Sequence, residues 1–307
     1  MEKVLLIGSS GFLGSAVKKT LENIDLYEIY EITGKNQIDI TNKNELESYM
    51  LNKNLDYVIN CAAFVGGVSY GYKYQRKLIE ENIKMAINIY ETSSKYGVKK
   101  IVNPISNCVY PASINEYKEE LLLDGPPHES VYFYAMSKRF LIDLSNSYYM
   151  NEKLISNNVI LSNMYGPNDH FDPDRSHALG ALINKIYQAK ENNTDIEIWG
   201  SGEQEREWLY VYDGAESLTR CLLKTIEHKT FNVGVNKTVS INELANIIST
   251  EMGFKGEYQY NLDKPEGVLK KSVDGRLGEK LLNWIPETNL SNGIKETVKW
   301  YKGSYGK

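Results

Sequence analysis

Tyr134 and Lys138, four residues apart, are the pair with the clearest chemical potential in this sequence. Residues four apart on a helix share one face, so the ammonium of Lys138 would lie beside the phenol of Tyr134. A nearby positive charge favours the phenolate, which would make Tyr134 an effective proton donor or acceptor near neutral pH. Such a tyrosine can protonate a carbonyl oxygen while a hydride reaches the carbon. The spacing alone is a weak signal, because a chain with 23 tyrosines also produces it as an exposed helical pair.

The position of Ser106 strengthens this interpretation. Ser106 follows a predicted buried strand at 99–102. In an open parallel sheet, ligands bind outside the carboxyl ends of the strands. Ser106 is therefore placed to donate a hydrogen bond to the same carbonyl oxygen.

A glycine-rich turn, G-x-x-G-x-x-G at Gly8, Gly11 and Gly14, joins the first predicted strand to the first predicted helix. Gly8 permits the tight turn, Gly11 lets the backbone approach a pyrophosphate, and Gly14 allows close packing of helix and strand. The free N–H groups at the helix start, including those of Phe12 and Leu13, would then meet the phosphate charge. The turn predicts a dinucleotide site.

The end of the second predicted strand bears on the choice between NAD and NADP. An acid at this point binds the ribose hydroxyls of NAD, whereas a base pairs with the extra phosphate of NADP. Both Glu31 and Lys35 are present. Lys35 is the better placed of the two for facing the ribose, which favours NADP(H) over NAD(H), with a solvated surface lysine as the alternative.

The elements that carry these residues alternate between strand-like and helix-like periods, which predicts a parallel sheet covered by helices. We expect an α/β fold: a Rossmann-type doubly wound parallel sheet with a smaller C-terminal substrate-binding lobe. The predicted dinucleotide-binding domain spans 1–165, with a return of the chain around 206–235, and 166–307 forms mainly the substrate lobe. The predicted strands are 3–8, 26–32, 56–60, 99–102, 159–163 and 195–199. The predicted helices begin near Gly11 and Asn42, run over 78–96, 133–150 and 176–190, and extend from a cap at Ser240 to about 252, with a polar loop at 168–177.

Charge and cysteine content narrow the function classes. The net charge of −5 argues against a nucleic-acid binder but leaves room for an anionic substrate. Cys61, Cys108 and Cys221 are widely spaced and form no C-x-x-C pair, so neither a disulfide framework nor a metal site is expected. The apolar run 4–7 is too short for a membrane span or a signal-peptide core. A reducing cytoplasm fits this composition best, with no membrane partner.

Four blocks of the sequence, in order along the chain, resemble the GDP-L-fucose synthase family of the extended short-chain dehydrogenase/reductase superfamily. They are CAAFVGGV at 61–68, SNCVYP at 106–111, NMYGPND at 163–169 with Ser-His at 176–177, and WGSG at 199–202 followed by REWL at 206–209. The resemblance extends from residue 4 to about 300. It implies NADPH-dependent reduction of the C4 ketone of a GDP-linked 4-keto-6-deoxy sugar, with C3/C5 epimerisation before it, in a homodimer.

Site residues carry over from the family position by position. The resemblance implies that Ser106, Tyr134 and Lys138 form the hydride-transfer triad. Cys108 and His177 match the acid/base pair that moves protons at C3 and C5, where a thiol and an imidazole can act near neutral pH. The remaining implied contacts are Ala62 and Ala63 for the cofactor, and Asn163, Lys185, Trp199 and Arg206 for the substrate, with Arg206 on its phosphates.

Three departures from the family keep alternatives open. Ser9-Ser10 stands where the family usually has His-Arg, which removes a basic group near the cofactor phosphate, so NAD remains possible. Lys185 stands where the family has Arg and lacks its planar fork. The loop 131–133 before Tyr134 is bulkier than usual, so the substrate is either a hexose or a longer 4-keto-heptose, and epimerisation is either kept or lost. Two alternative functions come from other classes of protein. One is a nucleotide-sugar 4-epimerase or dehydratase, and the other is a non-catalytic NADP-binding regulator.

Overall fold

A parallel six-stranded sheet forms the centre of the computed structural model, which describes residues 1–172, 176–263 and 268–306. The strands are β1 (Glu2–Ile7), β2 (Tyr27–Ile32), β3 (Tyr57–Asn60), β4 (Lys100–Ser106), β5 (Glu116–Tyr117), β6 (Ile155–Leu161), β7 (Asn163–Tyr165), β8 (Ile196–Trp199), β9 (Glu205–Tyr210), β10 (Lys229–Val233), β11 (Thr238–Ser240), β12 (Tyr258–Asn261) and β13 (Lys270–Val273). The central sheet has the order β10-β6-β4-β3-β1-β2. All its carboxyl ends therefore lie along one edge.

Helices cover both faces of this sheet. They are α1 (Phe12–Ile24), α2 (Lys43–Met50), α3 (Val68–Lys73), α4 (Gln75–Lys95), α5 (Tyr132–Glu152), α6 (Ala178–Asn192), α7 (Val211–Leu223), α8 (Ile241–Met252), α9 (Arg276–Leu282) and α10 (Leu290–Tyr305). One apolar core lies between the sheet and α2, α4 and α5. The other lies between the sheet and α1, α7 and α9. The predicted doubly wound α/β fold is confirmed.

The strand β4 continues further than the sequence indicated. The predicted end at Val102 coincides with the last residue that pairs with β3, whereas pairing with β6 continues to Ser106. Pro104 is compatible with this extension because its missing N–H falls where β3 has already ended. The extension delivers Ser106 to the carboxyl edge of the sheet.

The second half of the chain builds a smaller apolar core of its own. Helices α6, α8 and α10 pack there against β8 and β9. The strand β9 pairs with β7, β11 and β13, and β8 pairs with β12. Strand β10 returns to the central sheet beside β6. The division at residue 165 stays a prediction, and residues 173–175 of the predicted loop 168–177 lie outside the described residues.

Helix starts follow the capping signals in the sequence. The Asn42 side chain accepts a hydrogen bond from the backbone N–H of Asn44 at 3.1 Å. Ser240 accepts one from the N–H of Glu243 at 3.0 Å and opens α8. Within the described ranges, no helix is long and apolar enough to cross a membrane.

The glycine-rich turn gives the first prediction. A Cβ at Gly14 would lie 1.9 Å from the carbonyl oxygen of Gly8, so Gly14→Ala forces the backbone apart. We expect the free energy of unfolding to fall by about 1–3 kcal/mol or more, measured by urea denaturation. Gly34→Ala is the matched control, because nothing lies within 4 Å of a Cβ there. Equal losses in the two variants would contradict the packing argument.

Candidate active site

Tyr134 and Lys138 lie in the first turns of α5, on the side that faces the end of β4. The side chain of Lys138 is buried, with the residue only 5% exposed, and its Nζ lies 5.8 Å from the centroid of the Tyr134 ring. Tyr134 itself is partly exposed. The helix thus leaves the phenol partly exposed and keeps the ammonium buried.

Ser106 and Cys108 approach the same point from the opposite side. Ser106 ends β4, and its Oγ accepts a hydrogen bond from the backbone N–H of Cys108 at 3.3 Å, within a short 3-10 turn. The charges of Cys108 and Lys138 influence each other's pKa, and Cys108 also influences that of Tyr134. The structure therefore brings Ser106, Cys108, Tyr134 and Lys138 together.

The protonation states in this cluster differ from expectation in one respect. We expected Lys138 to favour the phenolate of Tyr134, but burial raises the pKa of Tyr134 and Cys108 raises it further. Burial lowers the pKa of Lys138 to about 8, so its positive charge is itself weakened. Burial also raises the pKa of Cys108 to about 11, against a smaller lowering by Ser106. The phenol and the thiol are both kept protonated, and a protonated phenol is the form that can give a proton to a carbonyl oxygen.

The glycine-rich turn has the shape that a dinucleotide requires. Gly8 has a φ of +81°, and a Cβ there would lie 2.9 Å from the backbone nitrogen of Ala62. The helix α1 begins after Gly11 without a side-chain cap, so the N–H groups of its first turn, from Phe12 and Leu13 onwards, are not used by a capping side chain. Those donors, the close backbone and the adjacent loop of Ala62 and Ala63 fit a pyrophosphate at this helix start.

The residues at and after the end of β2 bear on the choice between NAD and NADP. The Glu31 carboxylate is held by Lys18 of α1, at 2.8 Å. Lys35 lies in the loop beyond the strand, where its Nζ is 3.0 Å from the Asp39 carboxylate. Ser10 donates a hydrogen bond to the carbonyl oxygen of Thr33 at 2.5 Å. Glu31 and Lys35 are thus each paired with a residue of opposite charge, and Lys35 is the more exposed of the two.

Two cations lie side by side next to this cluster. Arg206 of β9 is paired in register with Lys271 of β13. Burial lowers the pKa of both side chains, and the charge of Arg206 lowers the pKa of Lys271 further. Neither has a carboxylate partner among the described residues. Tyr117 lies between them and Cys108: Lys271 Nζ is 5.8 Å from its ring centroid, and charge effects link Tyr117 to both Arg206 and Cys108. Neighbouring cations that lack carboxylates are suited to an anionic ligand such as a diphosphate.

Asn163 lies at the same edge of the sheet. Its Oδ1 accepts a hydrogen bond from Asn107 at 3.4 Å, and its Nδ2 donates to the carbonyl oxygen of Glu207 at 3.0 Å. Asn107 stands between Ser106 and Cys108. Asn163 therefore links the catalytic turn to the strand that carries Arg206.

Lys185 and Trp199 form a separate pair on the smaller lobe. Lys185 Nζ donates to the carbonyl oxygen of Glu197 at 2.6 Å and lies 5.8 Å from the centroid of the Trp199 ring. Burial lowers the pKa of Lys185. No described contact joins this pair to Tyr134 or Cys108.

Among the described contacts, none joins His177 to Ser106, Cys108, Tyr134 or Lys138. His177 precedes α6 as its N-cap residue, is half exposed, and its Nδ1 lies 3.8 Å from the carboxylate of Asp169. The start of the segment after β7 is tied to α1, because Asn168 donates a hydrogen bond to Ser15 at 3.2 Å. This places the start of that segment beside the helix of the glycine-rich turn.

Sequence reasoning missed three contributors to the site. Lys271 has no local motif, because only strand pairing brings it to Arg206. The sequence assigned Cys61 no role in the site, yet the charges of Cys61 and Lys138 influence each other's pKa. Asn82 of α4 is buried and clamps the loop after β3, accepting from the N–H of Phe64 at 3.0 Å and donating to its carbonyl oxygen at 2.9 Å. Its place inside an amphipathic helix face was the available signal.

Comparison with known proteins agrees with this geometry. Residues 4–234 match the NAD dependent epimerase/dehydratase family. A protein from Arabidopsis thaliana, "Putative GDP-L-fucose synthase 2", is 32% identical over 303 residues, which cover 97% of this chain and 91% of that protein. The crystal structure of a GDP-L-fucose synthetase from Naegleria fowleri bound to NADP superposes with a TM-score of 0.90 at 29% identity, covering 99% of this chain and 95% of that one.

A third relative agrees in fold alone. The crystal structure of a GDP-6-OMe-4-keto-L-xylo-heptose reductase from C. jejuni has a TM-score of 0.89 at 23% identity, covering 98% of each chain. The chain thus belongs to the NAD dependent epimerase/dehydratase family and is an NAD(P)-dependent enzyme. Within that family it belongs to the GDP-L-fucose synthase group.

The buried lysine gives a prediction about stability. The folded chain releases the Lys138 proton at about pH 8, whereas the ordinary pKa of lysine is 10.5. Between these values the unfolded state binds more protons, so stability rises with pH. We expect the free energy of unfolding of the wild type, relative to Lys138→Met, to rise across this window by about 3 kcal/mol in urea denaturation at a series of pH values.

Lys43→Met is the control for this measurement. Lys43 is exposed, and its pairing with Glu91 raises its pKa, so no rise is expected between pH 8 and 10.5. A flat difference for Lys138→Met would show that the ammonium is not desolvated.

Proposed function

We propose that this enzyme uses NADPH to reduce the C4 ketone of a GDP-linked 4-keto-6-deoxy sugar, with C3/C5 epimerisation at the same site. The observation that carries the proposal is the convergence of Tyr134 and Lys138 from α5 with Ser106 and Cys108 from the end of β4. The first three are the groups a carbonyl reduction needs, and the thiol beside them adds a group that can move protons.

In the reduction, the cofactor supplies a hydride to C4 when it is bound. Tyr134 donates its proton to the carbonyl oxygen as that oxygen gains charge, and Ser106 donates a hydrogen bond to the same oxygen. The phenolate that remains is stabilised by the buried ammonium of Lys138, whose Nζ lies 5.8 Å from the ring centroid. The raised pKa of Tyr134 keeps the proton in place until this point.

In the epimerisation, a base removes the proton from C3 or C5, and the electron pair passes to the C4 oxygen as an enolate. An acid on the opposite face then returns a proton to the same carbon and inverts it. We assign these roles to Cys108 and His177. Cys108 lies beside the hydroxyl of Ser106, so the groups that stabilise charge on the C4 oxygen serve both reactions.

The GDP moiety is proposed to place its diphosphate on Arg206 and Lys271. Both side chains are about half-buried, and burial lowers the pKa of both. A dianionic ligand would relieve the repulsion between them and replace lost hydration. Asn163 and the Lys185–Trp199 pair are proposed to bind other parts of the substrate.

NADP(H) is the proposed cofactor. The acid at the end of β2, Glu31, is paired with Lys18, whereas the exposed Lys35 can exchange its partner Asp39 for a phosphate. The relative from Naegleria fowleri was crystallised bound to NADP. We further propose a cytoplasmic homodimer.

A reductase of a longer 4-keto-heptose is the second candidate. Tyr132 and Phe133 pack edge to face at the start of α5, with ring centroids 5.4 Å apart, directly before Tyr134. Bulky rings at this place would reshape the sugar pocket. In this candidate, Cys108 and His177 no longer exchange protons.

Ketone reduction and deuterium exchange at C3 and C5 can be measured in one reaction. With NADPH and GDP-4-keto-6-deoxy-mannose in heavy water, the wild type should oxidise NADPH and place deuterium at C3 and C5. Tyr134→Phe should slow NADPH oxidation by about 10²–10⁴-fold, because the proton donor is lost. Tyr149→Phe, in the last turn of the same helix and far along it from Tyr134, is the control. Reduction without deuterium would leave a C4 reductase only, and no NADPH consumption would exclude this substrate.

A separate prediction concerns the diphosphate. Lys271→Met and Arg206→Met should each raise KM for the GDP-sugar by about 10–100-fold, since a hydrogen bond to a charged group contributes about 1.5–3 kcal/mol. Affinity for NADPH should be unchanged. Lys270→Met, which removes a lysine already paired with Glu205 at 3.0 Å, is the matched control. A KM for Lys271→Met equal to that of Lys270→Met would contradict the assignment.

A further inference from the structure

A buried carboxylate lies next to His177. The side chain of Asp169 is 2% exposed, and its Oδ1 is 3.8 Å from Nδ1 of His177. The same Oδ1 accepts the backbone N–H of His170 at 2.7 Å. Among the described residues, no lysine or arginine forms an ion pair with Asp169. A buried carboxylate normally requires a partner of opposite charge or several hydrogen bonds. The imidazole is the described side chain placed to supply that charge.

The loop that carries Asp169 is fixed on several sides. Asn168 adopts a left-handed conformation with a φ of +66° and donates to Ser15 of α1. Phe171 is buried against Trp300 and Tyr301 of α10, with ring centroids 5.8 and 4.8 Å away. These contacts hold both flanks of Asp169. Its carboxylate therefore has little freedom to follow the imidazole, and the imidazole must orient itself on the carboxylate.

A glycine in α6 completes the fit. A Cβ at Gly180 would lie 2.9 Å from the carbonyl oxygen of His170 and 3.6 Å from Oδ2 of Asp169. The first turn of α6 can therefore approach the loop closely, which brings His177, just before that turn, to the carboxylate. The approach of the helix and the burial of Asp169 depend on each other.

We propose that Asp169 is a positioning residue that holds the imidazole of His177 by its Nδ1 and leaves Nε2 for the substrate. The separation of 3.8 Å is longer than a hydrogen bond, and a rotation of the half-exposed ring closes it. Asp169 transfers no proton itself. It selects the ring orientation and strengthens the neutral ring as a base, because it stabilises the imidazolium that forms when Nε2 takes a proton from the sugar, as a carboxylate does for a neighbouring imidazole. The role of Asp169 in catalysis rests on the proposed epimerisation, whereas the pairing of Asp169 with His177 does not depend on it.

The charge environment agrees with this geometry. Hydrogen bonding by Asp169 raises the pKa of His177, burial opposes this, and the charge of Asp169 adds to it. Further ionisable groups on the elements next to His177 are His170 and Asp172, which follow Asp169 in the chain, and Lys185, two turns along α6.

The test is Asp169→Asn, which keeps the shape of the side chain and removes its charge. The titration of the His177 ring is followed by nitrogen NMR, with its signals assigned from His177→Gln. In the wild type its pKa should lie above the ordinary 6.5, and in Asp169→Asn it should fall. Exchange of deuterium into C3 and C5 should slow by about 10²-fold or more, whereas NADPH affinity is kept. Asp169→Glu should recover part of the exchange, and Asp143→Asn, at an exposed site on α5, should change nothing.

Each outcome has a distinct meaning. An unchanged His177 pKa in Asp169→Asn would overturn the pairing. A lowered pKa with undiminished exchange would overturn the positioning role. If the wild type itself shows no exchange, the proposed epimerisation fails, while the titration still decides the pairing. If Asp169→Asn does not fold, as judged by thermal unfolding, a wild-type His177 pKa at or below 6.5 is the result that would refute the pairing.

Discussion

The burial of the Lys138 ammonium is the constraint on which the rest of the site depends. The residue is 5% exposed, and among the described residues no carboxylate lies within ion-pair distance. Its surroundings are instead weak acids, the phenol of Tyr134 and the thiols of Cys108 and Cys61. A buried cation without a fixed anion favours any process that creates negative charge next to it. The proposed proton donation by Tyr134 is such a process, because it would convert the phenol to a phenolate beside Lys138.

The parallel sheet explains how residues distant in sequence reach this lysine. The carboxyl ends of β1, β3 and β4 lie along one edge, so the glycine-rich turn, the loop of Cys61 to Ala63 and the turn of Ser106 and Cys108 are neighbours. The smaller lobe approaches the same edge through β7 and β9. Glu207 supports that approach, because its buried carboxylate accepts the backbone N–H groups of Val235 at 2.6 Å and Val273 at 2.9 Å. The segments next to Arg206 are thus fixed by the carboxylate of its neighbour Glu207.

The sequence predicted the parts of the fold that local patterns encode. The glycine spacing and the apolar runs of β1 to β4 were sufficient to place the nucleotide turn, and Ser106 followed from the position of β4. The strand β6 was placed too late, because Asn157 and Asn158 interrupt its apolar pattern. In the structure both are buried, and Asn158 donates to Ser145 and Thr230 across elements that are far apart in sequence. The side-chain N–H groups of both residues donate to partners that no local pattern reveals, with Asn157 donating to the carbonyl oxygen of Glu227.

The same limit applies to the site. Tyr134 and Lys138 are recognisable because both lie on one helix, whereas Lys271 and Asp169 acquire their importance only through strand pairing and loop packing. The pKa of Tyr134 was also misjudged, because sequence shows the neighbouring charge but not the depth of burial. Electrostatic roles follow from solvent exclusion, and solvent exclusion is a property of the whole fold.

The proposed function requires that NADPH transfer its hydride to C4 of the sugar at this cluster, while Tyr134 supplies the proton. The most direct measurement uses NADPH that carries deuterium at the transferable position of its nicotinamide, with product analysis by mass spectrometry and proton NMR. The account predicts one deuterium per product molecule, located at C4 of the sugar, with one equivalent of NADP⁺ formed. Deuterium absent from the product, or a sugar converted with no net oxidation of NADPH, would contradict it.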